Sequence, residues 1–181
     1  MTPAIPPYIT KLLRGLDLPV RVYLAGKIRK HCWRHLLISG LRNHRWCDGV
    51  LHQNGFDYIG PFFVGCDHGC YHMPSNHGNG FGCSPSYDIS RKQVAKLCRQ
   101  AVERTDLLFC YIDAPDCYGT IAEIERAHIR GVRVVIAFAP NISGPRVNNF
   151  WFVCVDAYKV HFNVREQDLK VLFSETLKEL S

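Results

Sequence analysis

Three short apolar runs limit what this chain can fold into: VRVYLAG (20–26), LLFCYID (107–113) and VRVVIAFAP (132–140). None keeps the in–out alternation of a strand with one wet face. Runs of this kind are strands covered on both sides, as in a parallel sheet flanked by helices. The stretches between them have helical spacing. In RKQVAKLCRQAVERTD (91–106), Val94, Leu97, Cys98, Ala101 and Val102 share one face. GTIAEIERAHIRG (119–131) closes on Gly131, the residue type that most readily takes the left-handed conformation ending a helix. EQDLKVLFSETLKEL (166–180) carries the stripe Leu169, Leu172, Phe173, Leu177 and Leu180, and WRHLLISGLR (33–42) is spaced as a further helix. FDYIGPFFVG (56–65) reads as another strand, with Pro61 implying a sheet edge or a bulge. WFVCVDAYKV (151–160) contains a fifth. Cys110 and Cys154 fall inside these strand patterns as small hydrophobes. The prediction is an α/β fold: one open sheet of about five mainly parallel strands with helices on both faces, Rossmann- or flavodoxin-like.

Residues 1–18 carry three prolines and read as an extension packed on a single domain, 19–181. A Gly-, Ser-, Pro-, His- and Cys-rich loop is inserted at 66–90; loops of that length in compact domains are functional or disordered. The 181 residues, 47% of them hydrophobic, suffice for a real core. No apolar run is long enough to span a bilayer, and the N-terminal sequence lacks the pattern of a secretory signal. The expectation is a cytoplasmic protein whose nine cysteines are reduced. The formal charge is +6 and the pI about 8.9, which suits an anionic ligand. The basic residues are scattered among acids, so nucleic acid is not an expected partner, and neither is a membrane.

In open parallel sheets ligands bind beyond the C-terminal ends of the strands. Three loops meet there: AGKIRK after the first strand, the 66–90 loop, and DAPDCYGT after the third. Glu123 falls early in the helix that follows DAPDCYGT. An acid in a first turn is ordinarily stabilised by the helix dipole, by roughly 0.3–1 kcal/mol. Here it shares a face with Ala127, and its loop lies at the expected cleft. A carboxylate so placed can act as a nucleophile at a sugar anomeric carbon.

VYLAG, TDLLFCYID, GTIAEIERAHIRGVRVVIAF and NNFWF together resemble the layout of the nucleoside 2-deoxyribosyltransferase-like superfamily, from about residue 20 to 155. That superfamily includes base-exchanging transferases and hydrolases of nucleoside 5′-monophosphates. The resemblance implies that Glu123 is the nucleophile attacking C1′ and that Tyr23 touches both Glu123 and the sugar. It makes Gly26 the close-approach glycine, and Gly119 opens the Gly-Thr-x-x-Glu helix. Asn148 or Asn149 matches an asparagine that a neighbouring subunit supplies to the sugar 5′ end, which implies a homo-oligomer with shared active sites. PNISGPR (140–146) resembles the phosphate segment of the monophosphate hydrolases, with Ser143 and Arg146, assisted by Lys27 and Arg29, on a 5′-phosphate; the plain alternative is a solvated turn. Two positions depart from the family: Cys98 stands where an aspartate often helps with the base, and Cys117 six residues before the nucleophile where the transferases have an acid. The proton for the leaving base could then come from Asp113, Asp116, Asp67 or His68.

The loop CDHGCYHMPSNHGNGFGC offers Cys66, Cys70, His72 and His77, with His68 and Cys83 nearby, as ligands for a structural zinc. The competing reading is a lid whose Asp67 and His68 contact the base. The chemistry itself requires no cofactor. Tyr58, Phe62, Phe63, Tyr71 and Phe81 are candidates for stacking on a base or for the core. The leading expectation is an enzyme cleaving the N-glycosidic bond of a nucleoside or nucleotide, with transfer to another base or to water. The alternatives are a non-catalytic nucleotide-binding module and a zinc-clipped interaction domain.

Overall fold

The computed structural model describes residues 19–28, 32–41, 50–61 and 91–180. Their elements run β1 (Val20–Gly26), α1 (Arg34–Leu37), β2 (Leu51–Gln53), β3 (Phe56–Gly60), α2 (Arg91–Val102), β4 (Leu107–Ile112), α3 (Tyr118–Ile129), β5 (Arg133–Phe138), α4 (Pro145–Asn148), α5 (Trp151–Val155), β6 (Lys159–His161) and α6 (Leu169–Lys178). The last is preceded by a 3₁₀ turn over Glu166–Asp168.

The strands form one six-stranded sheet in the order β2-β3-β1-β4-β5-β6. All neighbours pair in parallel except β2 and β3, which form an antiparallel hairpin. Counting the parallel strands alone, the order is the flavodoxin-like one, with its switch point between β1 and β4. The α/β prediction holds, with six strands rather than five. The extra strand is β2, a short edge piece joined to β3 through Asn54-Gly55. Gly55 adopts φ +89°, the positive φ that a type II turn needs at its second central residue.

Alternate side chains of each strand feed two core layers. On one face Val22, Leu24, Leu107, Phe109 and Val135 pack with Trp33 and Leu41 and with Leu169 and Phe173 of α6. Phe173 meets Phe56 and Phe109 edge-on, at centroid distances of 5.1 and 5.2 Å. On the other face Tyr23, Leu108, Cys110 and Ile136 pack with Ala101 and Val102 of α2 and Ile124 and Ala127 of α3. Burial of each large side chain contributes roughly 1.5–3 kcal/mol. Sidedness of this kind explains why the central strands read as unbroken apolar runs.

Two details differ from the sequence expectation. Helix α1 is one turn, Arg34–Leu37, rather than the length of 33–42. Residues 151–155 are helical, because Phe150, Val153 and Cys154 recur at i, i+3, i+4 toward α3 and leave Trp151, Phe152 and Val155 exposed; the strand begins at Lys159, and Cys154 is a helix residue. Of the two readings of Pro61 the bulge holds: β3 is an interior strand that stops at Gly60, and its Ile59 is passed over where Val22 pairs with Tyr58 and Tyr23 with Gly60. Among the described residues no helix is long and apolar enough to cross a membrane.

Candidate functional site

Helix α3 is placed by its two ends. Gly131, just past the capping residue Arg130, takes φ +66°, its N–H bonded to the His128 carbonyl and the Val132 N–H to that of Ala127. This paired closure satisfies two otherwise orphaned carbonyls and turns the chain directly into β5. The helix begins at Tyr118, which puts Glu123 in its second turn. The dipole explanation therefore loses its basis, since that effect fades beyond the first turn.

Tyr23 and Glu123 meet. The phenol of Tyr23, fully buried in the middle of β1, donates a hydrogen bond to Glu123 Oε1. The bond joins β1 to the helix that follows β4, across the switch point of the sheet. Burial pushes the Glu123 carboxyl up to about 7 from an ordinary 4.5, while the Tyr23 hydrogen bond and then the charge of Arg34 pull it down. The same burial, followed by the negative charge of Glu123, holds the Tyr23 phenol well above its usual value of 10.0. Tyr23 thus stays protonated as a donor, and Glu123 changes charge near neutrality.

Two further residues explain how these side chains come to meet. A Cβ added to Gly60 would lie 2.7 and 2.9 Å from Cε2 and Cδ2 of Tyr23, so glycine lets the ring lie flat against β3. Arg34 is fully buried and donates to the carbonyls of Leu24 (2.7 Å), Gly26 (2.8 Å) and Lys27 (3.5 Å) and to Cys32 Sγ (2.8 Å). It ties the C-terminal end of β1 in place and lends positive potential to the site. Neither residue was anticipated. The Gly-Pro pair at 60–61 was a visible signal of special backbone; Arg34, one arginine in an amphipathic stretch, gave none.

The other expected residues divide. Asp113, just beyond β4, is 7% exposed, and its carbonyl accepts from Asn141 Nδ2 at 3.0 Å, which docks the loop after β5 onto the loop after β4. Asp116 is exposed and held by Lys27 Nζ at 2.6 and 2.7 Å, and this hydrogen bond lowers its carboxyl below the usual range. Lys27 therefore bridges the loops after β1 and β4 through Asp116. Gly26 is a close-approach residue, but the approach is to its own chain: a Cβ there would lie 2.7 Å from the Tyr111 carbonyl oxygen and 3.2 Å from Trp33 Nε1. Gly119 lies exposed in the first turn of α3 with nothing within 4 Å of an added Cβ. Ser143, Arg146, Asn148 and Asn149 are all exposed on the segment after β5. Arg146 reaches the Asn141 carbonyl at 3.1 Å, and among the described residues none of the four shares a hydrogen bond with Glu123 or Tyr23. Tyr58 belongs to the core, its hydroxyl donating to the Pro61 carbonyl at 2.7 Å. Cys117 is buried before α3, its thiol pushed up to about 11 by that burial. Asp67, His68, Cys66, Cys70, His72, His77, Cys83, Arg29, Phe62, Phe63, Tyr71 and Phe81 lie outside the described residues. Among the described residues no group of three or more His, Cys, Asp or Glu could hold a metal ion.

Comparison with known proteins adds a fold likeness. No protein-family model matches the chain, and no curated protein matches it. A crystal structure of a conserved protein from Enterococcus faecalis V583 is similar with a TM-score of 0.50, at 16% identity, over 91% of this chain and 100% of that one. At that identity the likeness concerns the α/β fold alone.

Proposed function

We propose that this protein cleaves the N-glycosidic bond of a nucleoside or nucleoside 5′-monophosphate, as members of the nucleoside 2-deoxyribosyltransferase-like superfamily do. The observation that carries the reading is the Tyr23–Glu123 hydrogen bond at the sheet's switch point. Tyr23 holds Oε1 and steers Oε2 toward a sugar C1′. Ionised Glu123 attacks C1′, the C1′–N bond breaks, and the base leaves with its electron pair and takes up a proton. The resulting glycosyl ester is opened by a second base or by water. Asp113, buried just beyond β4, is the candidate proton donor of the two, since Asp116 is committed to Lys27. Asn148 and Asn149 stand exposed next to Trp151 and Phe152, themselves 64% and 60% exposed, where a second copy of the chain could cover them and share its site. The chemistry calls for no cofactor.

A second reading draws on the same carboxyl. At about 7, Glu123 is substantially protonated at neutral pH and could hydrogen-bond a sugar hydroxyl in a non-catalytic nucleotide-binding module. Incubating the protein with a panel of nucleosides and 5′-monophosphates, with and without a second free base, separates the two. Free base released alone identifies a hydrolase, and exchanged nucleoside identifies a transferase. Turnover must vanish in Glu123→Ala. Nucleotide affinity without turnover in the wild type overturns the enzyme reading.

A further inference from the structure

Helix α2 turns its apolar residues inward, where Leu97, Cys98, Ala101 and Val102 pack on the sheet. Away from them stand Lys92, Lys96 and Arg99, all exposed. They are four and three residues apart, so they line one edge of the helix. The next position on that edge is Glu103, the one carboxylate between Arg91 and Thr105. It is already taken: Arg126 of α3 donates from Nε to Glu103 Oε1 at 3.1 Å. The same pair sets this edge of α2 against α3, whose Arg130 lies one turn beyond Arg126 and is exposed. Among the described residues, Lys92, Lys96, Arg99 and Arg130 share no ion pair. Cations that look scattered in the sequence are thus gathered by the helix into one stripe, ~16 Å long from Lys92 to Glu103 at 1.5 Å per residue.

The make-up of the stripe narrows its partner. A helix seated on a membrane carries large apolar side chains opposite its cations and open to the lipid. A protein interface has an apolar centre. The described residues of α2 include none of the exposed large hydrophobics. A phosphate backbone asks only for cations in a row. We propose that this edge of α2, continued by Arg130, binds nucleic acid through its phosphates without reading bases. The proposal is independent of the role proposed for Glu123.

The probe is a fluorescein-labelled oligo-dT of about 20 nucleotides, its anisotropy followed at several salt concentrations. Its Kd should lie at ~1–100 μM near physiological salt. Four cations on a single strand give a slope of about −3 in log K against log salt, a loss of about 60-fold between roughly 50 and 200 mM. The triple variant Lys92→Gln, Lys96→Gln and Arg99→Gln should bring the slope to about −0.7. Glutamine matches lysine and arginine in helix propensity, so the fold is kept, as circular dichroism would verify. Should that triple not fold, each single variant removes about 0.7 of the slope instead. A control triple, Arg165→Gln, Lys170→Gln and Lys178→Gln, lowers the net charge equally around α6, where Asp168, Glu175 and Glu179 are interleaved with the cations. It should leave the slope unchanged. An equal loss in both triples, an unchanged slope in the α2 variants, or no binding at about 50 mM salt overturns the proposal. So does equal binding to phosphatidylserine vesicles through the same residues, which would assign the stripe to lipid headgroups.

Discussion

Replacing Glu123 by Gln should change how the stability of this protein depends on pH. Burial holds the Glu123 carboxyl at about 7 in the folded protein, against an ordinary 4.5. The folded state therefore binds that proton more tightly than the unfolded chain does. The difference is worth ~3 kcal/mol, at ~1.4 kcal/mol per pH unit. Because the folded value is the higher one, this contribution is fully present below 4.5 and is lost as pH rises through 7. Glutamine keeps the carbonyl that accepts from Tyr23 and cannot ionise. The variant should thus match the wild type at low pH and exceed it at high pH by ~3 kcal/mol, or roughly 6–12 °C in Tm for a chain of this size. Urea unfolding of both proteins at about pH 4, 6 and 8 measures the difference, in which the distant carboxylates cancel. A wild-type-to-variant difference that stays constant across that range would refute the account of Glu123 as a carboxyl raised by burial.

Other outcomes follow from the same geometry. If Glu123 is the nucleophile, kcat/KM should rise with pH through about 7 as the carboxylate forms, which a pH–rate profile would reveal. Tyr23→Phe removes a hydrogen bond to a charged group, worth roughly 1.5–3 kcal/mol, so the midpoint of that profile should move up by about one to two pH units. A 2′-fluoro-2′-deoxyarabinosyl nucleoside should leave an ester on the peptide containing Glu123, read by mass spectrometry; an adduct on another carboxylate would remove Glu123 from the role. Gly60→Ala should drive the Tyr23 ring away from β3, given a contact of 2.7 Å, and lower turnover with Glu123 intact. Arg34→Met should leave the carbonyls of Leu24 and Gly26 without their donor and cost ~3 kcal/mol in urea unfolding.

The sequence by itself determined the architecture. Unbroken apolar runs such as LLFCYI require cover on both faces, and helical spacing between them supplies it; that pairing leaves a mainly parallel sheet as the outcome. Local chemistry was equally legible at Gly131, where the helix closes. Residues 151–155 carry a strand-like pattern because a short apolar run satisfies both periods, and only packing against α3 selects the helical one. Glu123 and Tyr23 could be named from their motif. Their meeting, between positions 100 residues apart, depends on β1 lying beside β4. The same holds for Gly60 beneath the Tyr23 ring, Arg34 beneath the end of β1, and Lys27 spent on Asp116 rather than left for a phosphate. A carboxyl becomes a group that titrates near neutrality through desolvation and neighbours brought from other elements, and only the tertiary structure decides what those neighbours are.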